Sequence, residues 1–285
     1  MVLSAASFSL MAAFSKLLFP PDAPTQAVVF SRAVIMATTF GLMARRRGVS
    51  LMGKRPLRLL LRGLLGYGAV SCYFYSVKVL PIGDAVLLQY SHPVFVAALA
   101  PLLLGERTGR WHWALVFIAF AGVALIVGPS GTLRQDALVG LLGSVLSGFA
   151  YLTVRGLSRE GDPFREHQLT IVFWFSIVMI PGALVAAVSA GEAALPHSGR
   201  EVLGHLAVAV TGLVGQFALT EGLARCGAAR ATAVTMTGPI FGMIFGLWFF
   251  GTLPSWASVA GTALVIGTLV TLALNRPAPS HTMAT

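Results

Sequence analysis

Apolar runs of membrane-spanning length alternate with short polar connections along almost the whole chain. They fall near residues 2–19, 25–44, 59–78, 84–104, 111–128, 137–155, 167–189, 202–222, 231–250 and 256–274. Runs of about 20 apolar residues suffice for a helix to cross the hydrocarbon layer, so ten transmembrane helices are predicted. Two spans depart from uniform hydrophobicity. The stretch DAVLLQYSHPVFVAALAPLLLGERTGR, from Asp84 to Arg110, carries His92-Pro93 near its middle and breaks off at Gly105-Glu106-Arg107. The stretch TAVTMTGPIFGMIFGLWFFG, from Thr232 to Gly251, repeats that design at a constant offset, with Ala85, Pro93, Phe95 and Gly105 matching Ala231, Pro239, Phe241 and Gly251. A proline at bilayer depth removes a backbone donor, which is tolerated where the freed carbonyl faces other helices or a wet cavity. Interrupted spans at matching positions of two halves point to a binding site between the repeats, with Pro93 and Pro239 as hinge or gating positions.

The repeat sets the expected architecture. Five spans per half, an odd number, reverse the second half relative to the first. The fold predicted is an all-α membrane protein of two inverted five-helix repeats around a central cavity. Residues 1–130 form the first repeat, residues 131–275 the second, and residues 276–285 a disordered cytoplasmic tail.

Composition supports a membrane protein and excludes a soluble one. Of 285 residues, 56% are hydrophobic and only 11% charged, with a mean hydropathy of +0.82, against about 25% charged in soluble domains. Met1 leads straight into an apolar run with no preceding cations, so the first span reads as a retained helix. Cys72 and Cys226 cannot build a disulfide framework. The net charge of +10 would suggest nucleic acid in a soluble protein, but here its distribution matters more. Fifteen of the 20 cations fall in alternate connections: Arg45, Arg46, Arg47, Lys54, Arg55, Arg58, Arg62, Arg107, Arg110, Arg155, Arg159, Arg165, Arg225, Arg230 and Arg276. By the positive-inside rule these lie in the cytoplasm, with both termini, in the inner (cytoplasmic) membrane. The basic runs are a topology signal, and no nucleic-acid partner is expected.

Polar side chains inside the spans are the candidate chemistry, each weighed against a structural role. Ser4, Ser7, Met11 and Ser15 form a narrow stripe on the first span, suited to packing or to a cavity wall. Arg32 lies about 10 Å below the outer end of its span. An embedded arginine costs about 2.5–3.5 kcal/mol on insertion scales, which argues for a cavity or an acidic partner; snorkelling is the alternative, and more so for Lys16. Tyr67 and Tyr73 lie well inside the third span, where tyrosines either pack or face a cavity. Asp84 reads as a first-turn acid complementing a helix dipole. Gln89 and His92 share a helix face; the histidine either satisfies a carbonyl freed by Pro93 or binds substrate and carries a proton. Tyr151 and Trp174 add aromatic surface, and Gln216 and Thr235 add polar groups to the eighth and ninth spans. Glu221 either pairs with Arg225 at i, i+4 or handles protons.

These residues together resemble the drug/metabolite transporter superfamily with tandem EamA domains. The likeness rests on Lys16 with Arg32 in QAVVFSR, on LPIGDAVLLQYSHPVFVAALAPLLLGE, on RTGRWHWALVFIAFAGVALIVGP, and on a second copy ending GPIFGMIFGLWFFG, where Thr252 stands opposite Glu106. It covers essentially the whole chain. The resemblance implies ten helices with both ends cytoplasmic, a cavity lined by spans one, three, four, six, eight and nine with five and ten outside, and transport of small organic solutes. Lys16 and Arg32 look like the basic positions of relatives that take up S-adenosylmethionine.

The function expected is secondary transport by alternating access, without cofactor or metal. An embedded arginine with Lys16 favours a carboxylate or phosphate, and the aromatic residues favour an apolar or aromatic body. Efflux of an amino acid or similar carboxylate-bearing metabolite is the leading reading, and uptake or exchange of a nucleotide-like solute such as S-adenosylmethionine is the alternative. An intramembrane enzyme would need a nucleophile with its base, paired aspartates or a metal cluster. The sequence offers no GxSxG, HExxH or CxxC, and no P-loop for ATP. A channel lacks its filter motif. The chain is expected to work as a monomer, or as a homodimer through spans five and ten.

Overall fold

The computed structural model describes residues 1–18, 25–79, 88–105, 109–127, 136–191, 198–251 and 253–274, and every regular element among them is helical. In chain order these are α1 (Val2–Leu18), α2 (Thr25–Arg46), α3 (Pro56–Val79), α4 (His92–Leu104), α5 (Arg110–Val127), α6 (Ala137–Ser158), α7 (Gln168–Ser189), α8 (Gly199–Arg225), α9 (Ala228–Thr235), α10 (Gly238–Phe250) and α11 (Trp256–Leu274). Asp84, Glu106, Thr252, the boundary at 130 and 131, and the tail from 276 to 285 lie outside the described residues.

Five elements among the described residues are long and apolar enough to cross a membrane: α2, α6, α7, α8 and the run Ala228–Phe250 made by α9 and α10. The long α3 carries Arg58 and Arg62 in its first two turns.

Apolar stripes at helical period fix the packing. Val29, Ala33, Met36, Phe40 and Ala44 form one stripe of α2, which meets Leu169, Val172, Phe175, Met179 and Ala183 of α7 in a fully buried cluster. Other contacts also join elements far apart in sequence: α3 lies on α6 and α7, α8 on α1 and α2, α4 on α6, α10 on α1, and α5 on α11. In lipid there is little hydrophobic drive between helices, so small residues that permit close approach matter most. At Gly122 of α5 an added Cβ would sit 2.8 Å from the carbonyl oxygen of Gly261 in α11, and at Gly143 of α6 one would sit 2.9 Å from Cys72 Cβ in α3.

Two end faces can be recognised from their contacts. On one, Glu166 Oε1 accepts from the backbone N–H groups of Lys54 (2.5 Å) and Arg55 (2.6 Å), Arg55 pairs with Asp162 at 3.0 Å, and Arg155 Nη1 donates to the carbonyl of Ala224 at 2.9 Å. This basic face gathers the start of α1, the ends of α2, α6 and α8, and the starts of α3 and α7. At the opposite face Arg200 donates to the Leu17 carbonyl at 2.9 Å and the Tyr75 hydroxyl donates to Asp136 at 3.1 Å.

Candidate functional site

Pro93 and Pro239 each start a helix at mid-span, and the two breaks are built alike. The Ser91 hydroxyl and backbone N–H both donate to the Leu88 carbonyl, at 2.6 and 3.1 Å. At the equivalent place 146 positions on, the Thr237 hydroxyl and N–H both donate to the Val234 carbonyl, at 2.8 and 3.2 Å. Both following helices end in a glycine at positive φ, 65° at Gly105 and 64° at Gly251, a conformation open to glycine at no steric cost.

The carbonyl that Pro93 strips of its helical partner is that of Gln89. His92 Nδ1 donates to it at 2.7 Å, and Ser144 Oγ of α6 donates to it at 3.2 Å as well as to the Leu88 carbonyl. At the second break Ser9 Oγ of α1 donates to the Gly238 carbonyl at 2.8 Å. A serine from a neighbouring helix thus bonds backbone at each break, to the carbonyl bared by Pro93 at the first and to that of the residue before Pro239 at the second, where backbone inside a membrane needs partners. The Gln89 contact places the proton on Nδ1, so His92 Nε2 is free to face Thr235 Oγ1 at 3.1 Å.

Between the breaks lies a cavity of about 350 Å³, within the range of small-molecule sites. Its walls come from α1, α2, α3, α6, α7, α8, α9 and α10 and from the segment running into α4, so α2 and α7 join the helices that the family resemblance implied, while α5 and α11 contribute nothing. Of the sequence candidates, Arg32, Tyr73, Gln89, His92, Tyr151, Gln216, Thr235 and Pro239 all line it. Tyr151 meets the His92 ring edge-on, centroids 5.0 Å apart.

The remaining candidates lie elsewhere. Lys16 is exposed and holds its ammonium 5.0 Å over the Phe250 ring. Tyr67 packs into the α2–α7 cluster, its ring where a Cβ on Gly182 would fall. Trp174 Nε1 donates to the Leu51 carbonyl at 2.8 Å. Pro93 is buried behind the wall. Glu221 pairs with Arg225 at 3.0 Å, the i, i+4 partner its spacing offered.

The structure also brings in residues that sequence reasoning missed. Arg62, counted above as a topology cation, is 2% exposed, lines the cavity and stacks its guanidinium 4.5 Å over the Phe175 ring. Its place inside the third predicted span, rather than before it, was the available signal. Tyr90 lines the cavity too, with its hydroxyl where a side chain on Gly238 would stand. Arg32 is 4% exposed. Among the described residues no lining residue is acidic, and Arg32 Nε, Arg62 Nε and Nη1, Gln89 Oε1 and Gln216 Nε2 have no hydrogen-bond partner. Leu219 of the cavity lining belongs to a buried cluster with Leu59, Leu157 and Leu223, near the ends of α3, α6 and α8 at the basic face. Among its other lining residues, Ala12 and Gly242 are exposed.

Comparison with known proteins follows the same outline. A model of the EamA-like transporter family matches the chain twice, over residues 1–128 and 136–274. The pseudopaline exporter CntI of Pseudomonas aeruginosa strain UCBPP-PA14 is 31% identical over 273 residues, 95% of this chain and 93% of that protein. Human solute carrier family 35 member G1 is 27% identical over 229 residues, 76% of this chain and 62% of that protein. A solved crystal structure superposes with a TM-score of 0.79 over 95% of this chain and 96% of its own, at 18% identity, a likeness of fold alone.

Proposed function

We propose that this chain, which belongs to the EamA-like transporter family and is a multi-pass membrane transporter of small molecules, exports a carboxylate-bearing amphipathic metabolite by alternating access. The observation that carries the reading is the cavity itself, walled by both halves of the chain and holding buried guanidinium groups that no carboxylate among the described residues neutralises. A positive charge kept inside a membrane protein without a partner marks a substrate or ion site. The name of CntI supports export as the direction.

The mechanism rests on two inverted repeats, residues 1–130 and 131–275. Three observations support that division: the family model matches twice, the breaks at Ser91 and Thr237 share their hydrogen bonds, and the α3–α6 contact has its mate in α8–α1. If the basic face is cytoplasmic, the leucine cluster on that side closes the inner end, and rocking about Pro93 and Pro239 would open it. His92, bonded across the halves to Thr235, is the group suited to carry a coupling proton. Glu221 is the weaker candidate, because Arg225 already holds its carboxylate.

The aromatic wall of Tyr73, Tyr90, Tyr151 and Phe175 favours a second reading, uptake or exchange of a nucleotide-like solute such as S-adenosylmethionine. Counterflow into proteoliposomes, run over amino acids, other organic acids and nucleotides with and without a pH gradient, separates the two. Transport of every anionic solute unchanged in Arg32→Ala would overturn the charge argument.

A further inference from the structure

We infer that the cavity is built for a solute carrying two negative charges, one answering Arg32 and one answering Arg62. The inference rests on the transport reading for its physiological meaning, but the binding it describes is independent of turnover.

The two arginines enter from opposite ends. Arg32 lies in the part of α2 remote from the basic face, and Arg62 in the part of α3 next to it, yet both side chains reach toward mid-depth. Arg32 Nε lies 2.6 Å from where a Cβ on Gly212 would be, and Gly212 is the central residue of α8. Arg62 Nη1 occupies the space a side chain on Gly66 would need, near the middle of α3. Gly66 and Gly212 are related by the same 146-position offset as Pro93 and Pro239, and so are three pairs of cavity-lining positions, Arg62 with Val208, Val70 with Gln216, and Tyr73 with Leu219. The internal repeat thus provides two equivalent recesses, and a guanidinium fills each, one supplied by α2 and the other by α3.

The charge is uncompensated. Among the described residues the lining contains no carboxylate, and guanidinium nitrogens of both arginines are buried without a hydrogen-bond acceptor. A buried charge left alone is costly, and structures retain it where a ligand completes the pair. A monocarboxylate leaves one guanidinium unanswered, whereas a dicarboxylate or an organic phosphate answers both.

The test uses detergent-solubilised full-length protein and three probes with six-carbon chains: adipate, hexyl phosphate and hexanoate. Binding is read as a ligand-induced rise in the thermal midpoint. Adipate or hexyl phosphate should bind at least roughly tenfold more tightly than hexanoate, the worth of one charge-assisted hydrogen bond, and whichever of the two wins identifies separated carboxylates or a single phosphate as the dianion. In Arg32→Gln and in Arg62→Gln that preference should vanish, while the ligand-free midpoint stays level or rises, because each variant removes an unanswered charge. Equal binding of adipate, hexyl phosphate and hexanoate by the wild type overturns the inference. So does an Arg62→Gln protein that is less stable yet keeps the preference, since Arg62 would then serve only as a brace on Phe175. Protein that binds adipate without catalysing counterflow would refute the transport reading and leave this inference standing; counterflow of hexanoate as fast as adipate would do the reverse.

Discussion

His92 Nε2 lies 3.1 Å from Thr235 Oγ1, joining the break in one apolar span to the other half of the chain 143 positions away. The same threonine hydroxyl also donates to the Thr232 carbonyl at 2.5 Å. With a neutral imidazole that one hydroxyl proton is divided between two acceptors, as the Ser144 proton is between the Leu88 and Gln89 carbonyls. With an imidazolium, Nε2–H donates to Oγ1 and the hydroxyl keeps its bond to Thr232. Each contact has a hydrogen of its own only when the imidazole is protonated, which gives the proton a structural consequence at the contact between halves.

His92→Gln should therefore abolish the response of transport to an imposed pH gradient while counterflow, which needs no gradient, persists. Thr235→Val should weaken the response and lower the thermal midpoint slightly, since interhelical hydrogen bonds in membranes are worth about 0.6 kcal/mol on average. Gradient-driven transport unchanged in both variants would remove His92 from the coupling step.

The α5–α11 pair stands apart from the cavity, and stability can be altered there without touching recognition. Gly122→Leu would drive a Cβ to 2.8 Å from the Gly261 backbone oxygen and 2.9 Å from Val265 Cγ2. Overpacking of this kind costs about 1–3 kcal/mol. The thermal midpoint of the variant should fall while the affinity for a transported solute measured at low temperature stays within experimental error. A matching loss of affinity would mean that this pair supports the cavity.

The helices and the two breaks were legible because their physical causes are local: an apolar run of given length, and a proline that must leave a carbonyl bare. Arg32 was legible for the same reason, a cation too deep in its span to be ignored. Arg62 was not, because the basic run from Arg45 onward absorbed it as one more topology charge, and only packing against Phe175 and Gly66 draws it inward. Lys16 and Trp174 illustrate the converse. Their types and spacing suited a binding wall, but helix rotation, set by tertiary packing, turned one toward Phe250 and the other toward the Leu51 carbonyl. Tyr90 could not be singled out from sequence, since its cavity position depends on a glycine 148 residues away.

Sidedness can be tested with a native residue. Cys226 caps the C-terminal end of α8 on the basic face and is exposed, whereas Cys72 is half-buried in α3. With the basic face in the cytoplasm, a membrane-impermeant maleimide should leave Cys226 unmodified in intact cells and label it in inverted membrane vesicles, with Cys226→Ser as the control. Labelling of Cys226 in intact cells would reverse the orientation and, with it, the direction in which the cavity faces.

His167, counted by the apolar pattern as the first residue of the seventh span, precedes α7 in the structure, whose candidate membrane span begins at Gln168, and caps that helix: its Nδ1 accepts the Leu169 backbone N–H at 3.1 Å. Accepting requires a bare nitrogen, so protonation deletes the cap and sets a positive charge at the positive end of the helix dipole. Desolvation holds its imidazole below the ordinary 6.5; Glu221 opposes this, and Arg47 and Arg165 reinforce it. Because the folded state binds the proton less readily than the unfolded chain, stability from this group is fully present above pH 6.5 and is lost as pH falls toward the lower folded-state value. The thermal midpoint should accordingly decline on acidification from pH 6.5. His167→Asn, whose amide oxygen caps without titrating, should decline less over the same window. Identical pH profiles for the two proteins would show that the cap contributes nothing to the stability of the basic face.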